Sequence, residues 1–366
     1  MDRSFYLELA SAGLRMPIGT DLVLNEESDP ERVRVDGAAL GRVVERSARR
    51  WKSPLAIPLL DLRLEKADLL TAFGVSAGDT EAFHFTAPLD DSAVSRASRD
   101  QTASHGPGSR ARNEALTYIG LQRDLVPVGM AIGPFSLATR LMADPITAVA
   151  MAGNGTQPSE SDEVRMALQC LELAEAAVRR SVSSQISHGA RAMMICEPAA
   201  SKAYVSPRQI RSGSRIFEQF VMAPNMRVKG LLDLAGCDLI FHDCGELTDE
   251  MVEEFATRLR PVILSLGSSR RLWDDARLVP RDVVLYGNLP TKSFYSDSAM
   301  PVSKVIALCR ELNARMKDCG HPHILGSECD VLFVAEAQQS IQAKIAAMIG
   351  DDCAGGSIRR LEDKCD

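Results

Sequence analysis

No run of 18 apolar residues occurs in this chain, so a membrane-spanning helix is not expected. The opening Met1-Asp2-Arg3-Ser4 does not begin a secretory leader. Basic charge is not in excess: 42 Lys and Arg stand against 49 Asp and Glu, a net charge of -7. That balance argues against a general nucleic-acid surface. Nine cysteines, an odd count in a leaderless chain, then read as reduced thiols, and a cytoplasmic location is expected. Internal repeats are absent too.

What is present is an alternation. Short apolar runs at 54–60, 81–85, 125–132, 192–196, 238–241, 262–266, 283–286 and 323–325 each end in a polar or glycine-rich turn. Segments with a 3.6-residue apolar period, such as 162–188 and 302–317, separate most of them. Eight strands alternating with helices in 366 residues predict an α/β fold, a (β/α)8 TIM barrel with a parallel sheet. The expected division is an N-terminal extension over 1–50 (an extended arm at Arg15-Met16-Pro17 and a helix from Gly37), a catalytic barrel over 51–348, and a tail over 349–366. Residues 89–113 are rich in Ser, Arg and Gly without periodicity, and predict a flexible loop, either a solvated surface loop or a lid over the barrel mouth.

In such a barrel the reactive groups sit where strands end. The run Asp238-Leu239-Ile240-Phe241 is followed at once by His242-Asp243-Cys244-Gly245. Residues i and i+2 of extended backbone share a side, so an imidazole and a thiol face one point. Cys329 ends another apolar run, with 84 residues between it and Cys244. One imidazole and two thiolates would bind Zn2+ and leave its fourth position open, the pattern of a catalytic site. The alternative is a packed thiol beside a hydrogen-bonded imidazole. Glu197 also ends a strand, as a fourth ligand, a proton-accepting base or the cap of a following helix. Asn288, Ser268 and Tyr204 are candidates for holding the substrate's polar end, or for satisfying loop backbone.

Several blocks carry a resemblance. Ile132-Gly133-Pro134-Phe135-Ser136-Leu137-Ala138, Cys196-Glu197-Pro198-Ala199-Ala200-Ser201 with Val205-Ser206-Pro207, Gly287-Asn288-Leu289-Pro290-Thr291 and Ile324-Leu325-Gly326-Ser327-Glu328-Cys329 resemble conserved blocks of the uroporphyrinogen decarboxylase superfamily, over about residues 120 to 348. The Arg-Gln-Ala-Gly-Arg motif of its metal-free decarboxylases is not found; Gly13-Leu14-Arg15-Met16-Pro17 is a poor substitute. His242-x-Cys244-Gly245 with Cys329 instead resembles the zinc-ligand pattern of the methylcobamide:thiol (coenzyme M-type) methyltransferases, except that Asp243 replaces a usually hydrophobic residue.

That resemblance implies a zinc-dependent methyltransferase. Its acceptor is a thiol or similar small molecule, and its donor methylcobalamin, another methylcorrinoid or a different small methyl compound. No corrinoid-binding Asp-x-His-x-x-Gly occurs, so a corrinoid would arrive on a separate corrinoid protein. Superfamily members are often homodimers. The chemistry suits the donor set, because a free thiol of pKa about 8.5 is only a few per cent thiolate at pH 7. Two thiolates and a neutral imidazole cancel the metal's charge, so a bound substrate sulfur keeps its electron density. The competing function is a metal-free decarboxylase of a porphyrinogen or small acid. It needs an arginine cluster, for which Arg15, Arg208, Arg270 and Arg271 are the supply.

Overall fold

The structure is a computed structural model that describes residues 2–100 and 105–350. Eight parallel strands follow the chain: β1 (Arg15–Ile18), β2 (Leu55–Ala56), β3 (Val126–Ile132), β4 (Ala192–Cys196), β5 (Asp238–Asp243), β6 (Ile263–Leu266), β7 (Val284–Leu289) and β8 (His323–Asp330). They pair in the order β1-β8-β7-β6-β5-β4-β3-β2 and curl, with flanking helices, into a (β/α)8 TIM barrel.

Side-chain alternation divides the core in two. Val126, Val128 and Met130 of β3, Ala192, Met194 and Cys196 of β4, and Ile240 of β5 fill the barrel interior with Val284 and Tyr286 of β7. Their neighbours Met193, Ile195, Leu239 and Phe241 point outward and pack against the helices. The Phe241 ring lies 4.7 Å from that of Phe255. Burying such a ring fully is worth about 1.5–3 kcal/mol. The longest helix, Asp162–Ser187, starts where the Ser161 side chain accepts from Val164 N, with Asp162 and Glu163 in its first turn.

Three expectations are corrected. Residues 81–85 are not a barrel strand; Phe85 makes an isolated bridge to Met142. The missing strand is β1, in the segment expected as an extended arm, and it pairs with β8. The helix before it, Arg3–Ser11, closes the bottom of the barrel. Tyr6 donates to Asp238 Oδ2 at 2.8 Å, and Arg3 donates to the carbonyls of Pro261 and Asp282. The N-terminal segment thus supplies both a barrel strand and a plug.

Nor are the described residues of 89–113 an irregular loop. Helices run over Asp91–Arg99 and Pro107–Gly120, the first capped by Asp90 and the second entered through Pro107. Gln169 and Arg180 of the long helix tie this segment down through Leu89, Asp91 and the Asp100 carbonyl. It belongs to the helical shell. Residues 101–104, and 351–366 of the expected tail, lie outside the described residues.

No ladder bond joins β1 to β2. Thr20 Oγ1 donates to the Ile57 carbonyl at 2.6 Å, and Ser53 Oγ lies 3.1 Å from Met16 Sδ. Because β2 is short, β3 also lacks a ladder partner beyond Pro127 on its β2 side. Side chains replace it: Gln185 Oε1 accepts from Met130 N, while Gln185 Nε2 and Arg112 Nη1 donate to the Met130 carbonyl. Arg112 is in turn paired with Glu65 at 2.8 Å, both buried. Removing one partner of such a buried pair costs about 3–5 kcal/mol.

Candidate metal centre

At the C-terminal end of β5, His242 and Cys244 face inward in phase with Ile240, as the alternation requires. Cys329 reaches them from β8 across an irregularity. Met16 of β1 pairs with Gly326 and Ile18 with Asp330, so three residues of β8 stand against one of β1. Such bulges re-aim side chains beside functional sites. The ligand atoms of His242, Cys244 and Cys329 all lie within 4.8 Å of one another.

The imidazole is buried, and its Nδ1 lies 2.8 Å from Ser265 Oγ on β6, its register partner. Its Nε2 is buried without a hydrogen-bond partner. Buried polar atoms are rarely left so. A nitrogen lone pair and two sulfurs converging, with the other imidazole nitrogen anchored, fit a soft divalent ion such as Zn2+.

The two thiols are electrostatically unequal. Cys329 is held well below the ordinary thiol range, chiefly by the Cys244 thiol and also by His242, against the burial that opposes it. Cys244 is pushed up by the neighbouring Cys329 sulfur and by burial. The ends of β5 and β6 approach so closely that a Cβ on Gly267 would stand 2.6 Å from the Cys244 carbonyl oxygen.

Glu197 ends β4 and is fully buried, and its amide donates to the His242 carbonyl at 2.9 Å. Its carboxylate is turned to the N-terminus of the helix Pro134–Leu141, accepting from Ser136 N and, at 2.9 Å, from Asn225 Nδ2. Burial raises its pKa, opposed by those donors. Gly133 is needed here, since a Cβ would lie 2.0 Å from Glu197 Oε2. The Gly-Pro-Phe-Ser segment is thus the cradle of this carboxylate. Glu197 is not among the three clustered donors.

The other expected residues are tied to neighbouring protein groups. Asn288 Nδ2 donates to the carbonyls of Gly267 and Arg270, pinning the loop after β6. Ser268 Oγ donates to the Glu328 carboxylate, whose other oxygen accepts from Lys292 N at 3.3 Å. Tyr204, half-buried, sets its ring edge-on to Phe135 at 6.2 Å. Asp243 points away from the cluster, and its Oδ1 accepts from Gly245 N at 2.8 Å. Ser265, Asn225 and Glu328 were not singled out from the sequence. Ser265 had a signal, as the one hydroxyl inside the apolar run 262–266.

The model of the uroporphyrinogen decarboxylase (URO-D) family matches residues 114–347, more than half of the chain. The chain belongs to the uroporphyrinogen decarboxylase family. This family member resembles in fold a methyltransferase from Methanosarcina mazei, with a TM-score of 0.63 and 16% identity over 92% of this chain and 91% of that chain. At that identity the likeness is one of architecture. No curated protein matches the chain. Among the described residues no helix is long and apolar enough to cross a membrane.

Proposed function

We propose that this member of the uroporphyrinogen decarboxylase family is a zinc-dependent methyltransferase, which methylates a thiol or similar acceptor from a methylcorrinoid or another small methyl donor. The observation that carries this reading is the convergence of His242 Nε2, Cys244 Sγ and Cys329 Sγ, with Nε2 otherwise unpartnered. The fold shared with the Methanosarcina methyltransferase supports it. Zn2+ held by these three residues would supply a Lewis acid that keeps an acceptor sulfur as thiolate at neutral pH.

The chain's own groups supply the rest. Ser265 Oγ anchors His242 Nδ1 and would accept its proton in a hydrogen bond when Nε2 presents a lone pair to the metal. Cys329 is the thiol whose surroundings favour the thiolate, and both cysteines would lose their protons on binding the metal. Glu197 is the candidate acceptor for the substrate thiol's proton, held by Ser136 and Asn225. Ser268, Asn288 and Tyr204 are candidates for shaping the acceptor's place at the mouth. In the transfer a sulfur–methyl bond forms as the donor's bond to methyl breaks, the donor keeping that electron pair. With a methylcorrinoid the donor would come on a separate corrinoid protein.

Two of the arginines that a metal-free decarboxylase would need are committed elsewhere. Arg270 pairs with Asp275 and Asp249, and Arg15 donates to the Gly350 carbonyl. The test is zinc per chain, by elemental analysis of wild type and Cys329→Ser. The expected result is near one zinc in the wild type and a marked loss in the variant, with methyl transfer from methylcobalamin to a small thiol lost in parallel. A carefully prepared wild type without zinc overturns the proposal.

A further inference from the structure

By simple alternation Cys329 belongs on the outer face of β8. Ile324 faces the barrel interior, and a Cβ on Gly326 would overlap the interior ring of Tyr286. Steps of two along a regular strand would then turn Glu328 inward and Cys329 outward. Instead the Cys329 thiol gathers with His242 and Cys244, and the Glu328 carboxylate is turned to Ser268 and the Lys292 amide. The slip between β1 and β8 reverses the phase, because a change of register by one residue moves a side chain to the other face. The second thiol of the metal centre therefore depends on what holds that slip.

Residues 327–329 of β8 lie between the register pairs Met16–Gly326 and Ile18–Asp330, opposite Pro17 alone. Pro17 has no N–H to offer them. Two buried hydroxyls stand in for the ladder. Tyr286 of β7 is 2% exposed, and its Oη donates to the Met16 carbonyl at 3.0 Å and accepts from Ser327 N at 3.3 Å. Ser327 Oγ lies 3.3 Å from that oxygen and accepts from Ile18 N at 2.9 Å. A phenol from the next strand thus reaches past β8 and serves backbone groups of both β1 and β8.

We propose that Tyr286 is a positioning residue of the metal centre: its hydroxyl holds the β1–β8 slip, and through the slip the inward placement of Cys329. The inference rests on the reading of His242, Cys244 and Cys329 as metal ligands; Tyr286 touches no metal itself. Buried backbone groups seldom stay unpaired. Without the hydroxyl, Met16 O and Ser327 N lose their shared partner, and the strand is drawn towards regular register with Cys329 turned away.

The test is a titration of the metal-free, full-length protein with Co2+, whose charge-transfer absorption reports bound thiolates. The wild type is expected to take up one Co2+ with the absorption of two thiolates. Tyr286→Phe is expected to bind Co2+ about 10–100-fold more weakly, with its absorption moved towards that of Cys329→Ser. Tyr6→Phe is the control: it removes a buried hydroxyl at the bottom of the barrel, where Tyr6 donates to Asp238, and is expected to leave affinity and absorption unchanged. If Tyr286→Phe does not fold by circular dichroism, Ser327→Ala removes the other hydroxyl and carries the same expectation. A wild type that binds no Co2+ overturns the metal centre, and this inference with it. A wild type that binds, beside a folded Tyr286→Phe or Ser327→Ala of unchanged affinity and absorption, overturns this inference alone. So does an equal change in Tyr6→Phe.

Discussion

His242 Nδ1 and Ser265 Oγ stand 2.8 Å apart in the barrel interior, on paired residues of β5 and β6. This contact decides which imidazole nitrogen is left for a metal. Removing the hydroxyl frees the ring to rotate and to take the other tautomer. Ser265→Ala is expected to weaken zinc binding about 10–100-fold, the usual cost of losing the group behind a metal-binding histidine. Competition against a chromophoric chelator measures this, and unchanged affinity in Ser265→Ala would show that the contact does not tune the site.

Glu197 tests the difference between a ligand and a neighbour. Both groups bonded to its carboxylate, Ser136 N and Asn225 Nδ2, are donors. In Glu197→Gln one of them would face an amide NH2. The expected outcome is a loss of about 1–3 kcal/mol of stability with zinc content unchanged. Methyl transfer should fall about 100-fold if the carboxylate takes the acceptor's proton. Denaturant unfolding, elemental analysis and steady-state rates on one preparation separate these effects.

Acid should loosen the far end of β8. Burial, chiefly, pushes His323 down from its ordinary 6.5 to about 4, helped by His321 and Arg15. The unfolded chain takes up that proton near pH 6.5, and the folded one only near pH 4. This neutral histidine's contribution is therefore full above about pH 6.5 and is lost as pH falls towards 4, amounting to at most about 3 kcal/mol. His323→Gln, which keeps a partner for Asn313 Oδ1, should flatten this part of the profile. Stability of both proteins from pH 7 to 4 checks it, and parallel profiles would refute the assignment.

Lys344 is fully buried, and its Nζ donates to the Phe294 carbonyl at 2.6 Å and pairs with Asp297 at 2.8 Å. It ties the closing helix to the loop whose Lys292 amide donates to Glu328, next to Cys329. Lys344→Met should cost about 1–3 kcal/mol by stranding the buried carbonyl. It should also raise amide exchange at residues 291–296 before the rest of the barrel. Hydrogen exchange followed by mass spectrometry reads this directly.

Seven of the eight expected apolar runs correspond to barrel strands, because strands buried on both faces read as near-continuous apolar segments. β1 was harder to see: it has four residues, begins with Arg15 and contains Pro17, which has no N–H to donate. The helix Asp91–Arg99 was hidden because its apolar face is only Ala93, Val94 and Ala97, though Asp90 was a legible cap. His242 and Cys244 were readable from local alternation. The approach of Cys329 depends on the β8 slip, and the partners of Ser268, Asn288 and Glu197 on contacts between distant segments, which no local pattern encodes.

The open seam between β1 and β2 lies outside the arc from β5 to β8 that carries the residues gathered at the centre. β5 and β8 are joined through β6 and β7 by an unbroken series of ladders, whereas the seam is held by side chains. The barrel is therefore built like a split ring. A change of width at the split would leave every ladder intact in the arc that carries the imidazole and the two sulfurs.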